Sequence, residues 1–299
     1  MRTFQGTGVA LATPFSADGA VDTAALGRLV EHQIAGGTDY LVALGTTGEV
    51  ATLDATEQQL VIETVMAVNA GRLPVVLGAG GNNTRAVART VAAFTQKYKP
   101  DGILSVSPYY NKPTQAGIYA HFAAIAGETD LPIILYNVPP RTSSHMTAAT
   151  TLKLGRDFKN IVATKEASGN LSDIMTIIRD APDGFMVLSG DDLLALPLMA
   201  LGAAGIISVI ANGTPAPFSA MVKSALSGDF EAAREQHYAL QDLMKLIFVE
   251  GNPAGVKALM AHRGIMEAHV RLPLQPATPA LVQQIRHAFQ KLGTPEVQV

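Results

Sequence analysis

The chain has 299 residues, 48% of them hydrophobic and 16% charged, with 22 basic residues against 25 acidic ones and a net charge of −3. That composition supplies a large core and carries too little charge for a disordered chain, and its mixed signs leave no basic stripe for a nucleic-acid backbone. The absence of cysteine excludes disulfides, zinc–thiolate sites and a cysteine nucleophile, and a cytoplasmic enzyme is the expected class.

The N-terminus, MRTFQGTGVALATPFS, has no long apolar segment after Arg2, so no signal peptide is expected. Within it begins the first of eight short runs rich in Val, Ile and Leu, "GVALATP" (8–14). The segment 22–37 follows with Leu26, Leu29, Val30 and Ile34 on one helical stripe and two glycines at its end. "DYLVALG" (39–45) leads into "GTTGE", and 54–71 reads as a helix opened by a capping box of Asp54 and Glu57. "LPVVLGAG" (73–80), a helical "NTRAVARTVAAFTQKY", "GILSVSP" (102–108) and a helical "TQAGIYAHFAAIAGET" continue the alternation. "LPIILYN" (131–137), "IVATKEA" (161–167), "FMVLSG" (185–190) and "GIISVIA" (205–211) complete the eight.

Such runs are too short for helices and too continuous for a sheet with one wet face, which points to parallel strands buried on both sides. Eight βα units in a row predict an α/β fold, a closed (β/α)8 TIM barrel, over residues 1–225. Residues 193–211 carry no charge, but Pro197, Gly202 and Gly205 interrupt them, so a buried helix–turn–strand is expected there and no membrane contact. From Pro215 onward every segment reads as helix, giving a C-terminal helical extension, 226–299, packed on the barrel.

In a barrel, reactive side chains gather where strands end. Those ends supply Thr46 and Thr47, Tyr109 and Tyr110, Tyr136 and Arg141, and Lys165. On an alternating strand Ile161, Ala163 and Lys165 share one face, and small Ala163 leaves room beside the lysine. Burial favours the neutral amine, which can attack a ketone and form an imine. A lysine snorkelling to solvent is the other reading of a strand end. Tyr136 could serve as general acid and base, Thr46 could pass its proton, and Arg141 could clamp a carboxylate. The N–H groups of "GTTGE" could hold another.

Other patterns fail. "GAGGNN" has Asn83 in place of the third glycine of a dinucleotide fingerprint. Asp191 and Asp192 would repel a phosphate and are expected to cap the next helix. The histidines form no HExxH pair and no GxSxG elbow occurs, so neither a metal nor a serine nucleophile is expected.

"GTTGE", "SPYYNKPTQAG", "LYNVPPRT", "KEASGN", "LSGDD" and "GIISVIAN" together resemble the dihydrodipicolinate synthase branch of the pyruvate-dependent class I aldolases, the N-acetylneuraminate lyase family. The resemblance runs from the first strand to about "FVEGNPAGVKALM". It implies a Schiff base between Lys165 and pyruvate with no further cofactor. Tyr136, Thr46 and Tyr110 would form a proton relay, with Tyr110 reaching into a neighbouring subunit. Thr47, Gly190 and the main chain of Ile207 would line the pyruvate site, and Arg141 would receive aspartate 4-semialdehyde. It further implies a homotetramer built as a dimer of dimers, serving lysine and diaminopimelate biosynthesis. Asn82 and Tyr109 fit a regulatory cleft, but Ala55, Gln58 and Ala86 replace the histidine-type and glutamate partners of lysine-inhibited members, so weak or no inhibition by lysine is expected. Val50 stands where a smaller or polar residue is more usual. A relative using another aldehyde, of the N-acetylneuraminate lyase or 2-keto-3-deoxy sugar acid type, and a silent metabolite-binding barrel remain the competing readings.

Overall fold

The computed structural model describes residues 4–293. Eight parallel strands close into a barrel in chain order. They are β1 (Gly6–Ala10), β2 (Tyr40–Ala43), β3 (Val75–Gly78), β4 (Gly102–Val106), β5 (Ile133–Asn137), β6 (Ile161–Glu166), β7 (Met186–Ser189) and β8 (Gly205–Ser208). Seven lie inside the apolar runs that predict them. The first starts two residues early and stops at Ala10, although Leu11 N–H still donates to Val42 O at 2.9 Å. Pro14, which has no N–H to donate, closes that run.

The chain groups into two compact units. One comprises residues 6–73 and 208–293. It holds β1 and β2 with the helices α1 (Thr23–Ala35) and α2 (Ala55–Asn69). Asp22 accepts from Ala25 N–H at the start of α1, and Asp54 and Glu57 form the predicted capping box on α2. Further along the chain this unit contains four more helices, numbered here in chain order after those of the other unit.

The other unit comprises residues 4–5 and 74–207. Its helices are α3 (Thr84–Lys97), α4 (Gln115–Ala126), a single turn α5 (Pro139–Thr142), α6 (Ala148–Asp157), α7 (Leu171–Asp180) and α8 (Ala195–Ala200). The neighbours α3–α4, α4–α6 and α6–α7 pack side by side. The uncharged stretch 193–211 is the short helix α8, a turn and β8, as expected from its proline and two glycines. Among the described residues no helix is long and apolar enough to cross a membrane.

The remaining helices of the first unit are α9 (Pro215–Leu226), α10 (Phe230–Leu246), α11 (Ala254–His262) and α12 (Pro279–Lys291). α9 packs on β1, α10 on α9, and α12 on both α10 and α11. Ala254 to Met260 of α11 are buried on every side, although the helix is short and includes Lys257. Gly255 permits this: a Cβ there would lie 2.3 Å from Ile247 O.

Candidate active site

The register of β5 on β6 sets the central pair. Tyr136 lies opposite Lys165 across the two strands, and Asn137 opposite Glu166. Side chains alternate along a strand, so the first pair shares one face and the second pair the other. Lys165 Nζ sits 4.3 Å from the centre of the Tyr136 ring. Both side chains are buried, the lysine only 4% exposed. Lys165 therefore does not snorkel.

Burial lowers the Lys165 pKa to about 8. The Asp192 carboxylate opposes that shift by favouring the ammonium, and the Arg141 guanidinium adds to it. Among the described residues no carboxylate lies within 4.0 Å of Nζ. A substantial fraction of the amine is thus neutral near pH 8.

The opposite face of the same strand ends is a closed polar cluster. Asn137 Nδ2 donates to both Glu166 oxygens at 3.2 Å and to Met146 O at 3.1 Å, while Met146 N–H donates to Asn137 Oδ1 at 3.0 Å. Ser168 Oγ donates to Glu166 Oε2 at 2.9 Å. Burial raises the Glu166 pKa to about 7, against the lowering effect of these hydrogen bonds. The cluster ties β5 to β6 and so holds Tyr136 against Lys165.

The loop after β7 completes the surroundings. Gly190 N–H donates to Glu166 O at 2.7 Å, and a Cβ on Gly190 would stand 3.1 Å from Lys165 Cε. Any side chain there would press on the lysine stem, so the position serves by being empty. The two aspartates do not cap the next helix, contrary to expectation. α8 begins only at Ala195, with Leu194 at its cap position. Asp191 Oδ1 instead accepts from Leu193 N–H at 2.9 Å and holds a turn. Asp192 is buried and acts on Lys165 through its charge, a role its sequence context does not reveal. Ile207 is buried on β8, one residue beyond the Ser189–Ile206 register pair.

Arg141 lies on the exposed turn α5 directly after β5. Tyr110 does not join the buried pair in this chain: it is 87% exposed, with its backbone in the left-handed region at φ 72°. Tyr109 is also exposed, and Asn111 connects it to Asn82, its N–H donating to Tyr109 O and its Nδ2 to Asn82 O.

In the other unit, "GTTGE" folds as a 3₁₀ turn over Thr46–Gly48 with Glu49 left-handed at φ 52°. Gly48 N–H and Glu49 N–H donate within the turn to Gly45 O and Thr46 O. An anion at this loop would therefore meet Thr46 and Thr47, not the following amides. Thr47 is buried, and Asn252 Nδ2 donates to its Oγ1 at 2.9 Å. Glu49 forms a fully buried ion pair with Lys257 at 2.5 Å and accepts from Arg271 N–H at 3.0 Å. Asn252, Glu49 and Lys257 carry no chemical signature in the sequence beyond a lone lysine in the apolar stretch "AGVKALM". Among the described residues no three His, Asp or Glu side chains gather as metal ligands.

The sequence pattern of the Dihydrodipicolinate synthetase family matches residues 3–292. The chain belongs to that family. It is 50% identical over 290 residues to the 4-hydroxy-tetrahydrodipicolinate synthase of Parabacteroides distasonis, covering 97% of each chain. The dihydrodipicolinate synthase of Aquifex aeolicus superposes with a TM-score of 0.94 at 45% identity, over 98% of this chain and 99% of that one. A dihydrodipicolinate synthase from Acinetobacter baumannii, crystallised with pyruvate, gives 0.94 at 39% identity, over 97% and 99%.

Proposed function

We propose that the chain is a 4-hydroxy-tetrahydrodipicolinate synthase, a lyase that condenses pyruvate with L-aspartate 4-semialdehyde in lysine and diaminopimelate biosynthesis. The observation that carries the mechanism is a buried amine lying 4.3 Å from the centre of the Tyr136 ring, its pKa lowered by burial to about 8. Membership of the family supplies the substrates.

Neutral Lys165 Nζ attacks C2 of pyruvate, and the carbinolamine loses water to leave a protonated imine. That cation withdraws electrons from C3, which gives up a proton and becomes an enamine carbon. The enamine attacks the aldehyde carbon of the second substrate, forming the new C–C bond. The regenerated imine is then displaced by the substrate's own amino group as the ring closes, and Lys165 is freed. Tyr136 handles the protons that leave and return at Nζ and the carbinolamine oxygen, because its hydroxyl-bearing ring is the aromatic packed against that nitrogen. Thr46 passes protons from Tyr136, Thr47 holds the pyruvate carboxylate, and the main chain at Gly190 and Ile207 bounds the site. Arg141, exposed on its turn, receives the carboxylate of the semialdehyde. No cofactor beyond this covalent imine is invoked.

Tyr110 supports an oligomeric enzyme. A phenol held out at 87% exposure by a left-handed backbone suits delivery to a neighbouring subunit's site, and a homotetramer in the cytoplasm is the assembly proposed. Asn82 and Tyr109, linked through Asn111, form the proposed regulatory cleft. Gln58 Nε2 is already committed to Leu53 O at 3.1 Å, which supports weak feedback by lysine. Half-inhibition below a millimolar of lysine would remove that last element.

The test of the whole is borohydride reduction in the presence of pyruvate. The protein should gain one reduced pyruvyl group, located by mass spectrometry on the Lys165 peptide, and a coupled assay should show turnover with aspartate semialdehyde. No covalent gain would end the proposal.

A further inference from the structure

Thr47 presents one hydroxyl proton and two lone pairs, and a carboxylate can use only the proton. What decides where that proton points is the group on the other side of the oxygen. In the structure this is Asn252, 6% exposed, whose Nδ2 donates to Thr47 Oγ1 at 2.9 Å. A bond received on one lone pair turns the O–H away from Asn252 and leaves it to be given elsewhere. The reverse arrangement, Thr47 donating to the amide oxygen, would consume the proton and offer a carboxylate nothing but lone pairs.

The cost of this arrangement is visible. Asn252 Oδ1 is buried and has no hydrogen-bond partner among the described residues. A buried carbonyl without a partner is uncommon in a folded protein and calls for a reason. Its position is also firmly held. Asn252 and Pro253 lead directly into α11, whose residues Ala254 to Met260 are buried, and Lys257 on that helix reaches Glu49, two residues beyond Thr47. Lys257 Nζ donates a second time, to His269 O at 2.7 Å. Arg263, just past α11, donates to Gly213 O, and a Cβ on Gly213 would lie 2.4 Å from Leu259. The C-terminal segment thus grips the "GTTGE" turn at two points, one of them a hydroxyl with a proposed chemical role.

We propose that Asn252 is a positioning residue for the condensation: its amide fixes the Thr47 hydroxyl as a donor toward the carboxylate of the bound 2-keto acid. The inference rests on the reading that Thr47 holds that carboxylate. Asn252 itself touches no substrate. Its effect passes through one oxygen, and this makes it separable from a structural tie, which would weaken both substrates alike.

The experiment is a double-mutant cycle of Asn252→Leu, which keeps the branched shape and removes the donor, with Thr47→Val, which removes the hydroxyl. The readouts are the two KM values, kcat, and the pyruvate concentration that half-saturates borohydride trapping. In the otherwise native enzyme, Asn252→Leu should raise the pyruvate KM and the trapping midpoint about tenfold, the worth of one oriented hydrogen bond to a charged group. kcat should stay within about threefold and the semialdehyde KM within about twofold, since neither depends on this donor. In the Thr47→Val background the same substitution should change the pyruvate values less than about twofold. Equal rises in both backgrounds, joint movement of both KM values, or an unchanged pyruvate KM would overturn the proposal. Should the leucine variant not fold, Asn252→Ala runs through the same cycle with an expected rise of about threefold or more. Trapping of pyruvate by the wild-type protein separates the two levels: with an adduct present and a flat cycle the inference alone fails, and with no adduct the reading beneath it fails.

Discussion

Two lysines of this chain have been withdrawn from water, and the contrast between them shows how neighbours decide what a buried amine is for. Lys165 and Lys257 are both at or below 4% exposure, and burial lowers both to about 8. Each lies over an aromatic ring, Lys165 at 4.3 Å from Tyr136 and Lys257 at 4.2 Å from Phe15. Beyond that the environments diverge. Lys257 has a carboxylate at 2.5 Å and a backbone carbonyl at 2.7 Å, so its protons are already given away. Lys165 feels the charges of Asp192 and Arg141, pulling in opposite directions, and lies over a ring that bears a hydroxyl. The first amine is structural and locked; the second is left able to lose its proton and form a bond.

The largest expected effect separates them by activity. Lys165→Met should remove the pyruvate adduct altogether and lower turnover by on the order of 10³-fold or more, since the proposed imine forms on this amine. Intact-mass analysis after borohydride and a coupled assay check this. Adduct formation in that variant would mean that the wrong lysine has been chosen.

Stability should rank them the other way. Lys257→Met strands the Glu49 carboxylate in the interior and should destabilise the fold by ~3–5 kcal/mol, read as a lower Tm or denaturation midpoint. Replacing both partners, as Lys257→Met with Glu49→Leu, should recover most of that loss because no lone charge then remains buried. If the single variant is as stable as the native chain, the ion pair is not what holds this loop.

A third change makes one site imitate the other. Tyr136→Phe keeps a ring beneath Lys165, as Phe15 lies beneath Lys257, and removes the phenol alone. Pyruvate should still be trapped, but turnover should fall by about 10²-fold, the ordinary contribution of a positioned acid–base group. A fall in trapping as severe as that in turnover would assign the ring to holding the amine in place and not to proton transfer.

The barrel was legible in the sequence because parallel strands covered on both faces leave unbroken apolar runs, and seven of the eight strands fall within those runs. Lys165 was legible as an ammonium group at the end of such a run, and Tyr136 and Thr46 as hydroxyls at others. What was not legible depends on contacts between residues far apart in the chain. Asn252 lies 205 positions from Thr47 and Lys257 lies 208 from Glu49, and nothing local distinguishes either from an ordinary loop amide or a helix lysine. Aspartate's preference for cap positions makes Asp191 and Asp192 the expected caps of the next helix, yet that helix starts only at Ala195 and Asp192 is buried. Local patterns report which face of a strand is buried. They do not report which charge will stand behind it.

The smallest effect returns to the pair of lysines and concerns sign. A lysine held below its ordinary value of 10.5 costs the fold stability wherever the unfolded chain keeps a proton that the native state resists. For Lys165 the cost is complete below about 8, shrinks as pH rises from about 8 toward 10.5, and vanishes above that window, where both states are neutral. Lys165→Met should therefore stabilise the protein at pH 7, by ~1 kcal/mol once lost packing and the lost attraction of Asp192 are set against relief of the buried charge, and the gain should shrink between pH 8 and 10.5. Denaturant melts of the two proteins at pH 7, 8.5 and 10 give the comparison. The native enzyme's rate of imine formation should climb from about pH 6.5, be half-maximal near 8 and level off about one pH unit higher as the amine becomes neutral. A stability gain independent of pH would mean that Lys165 is fully charged in the native fold and that its proton is removed only when pyruvate arrives.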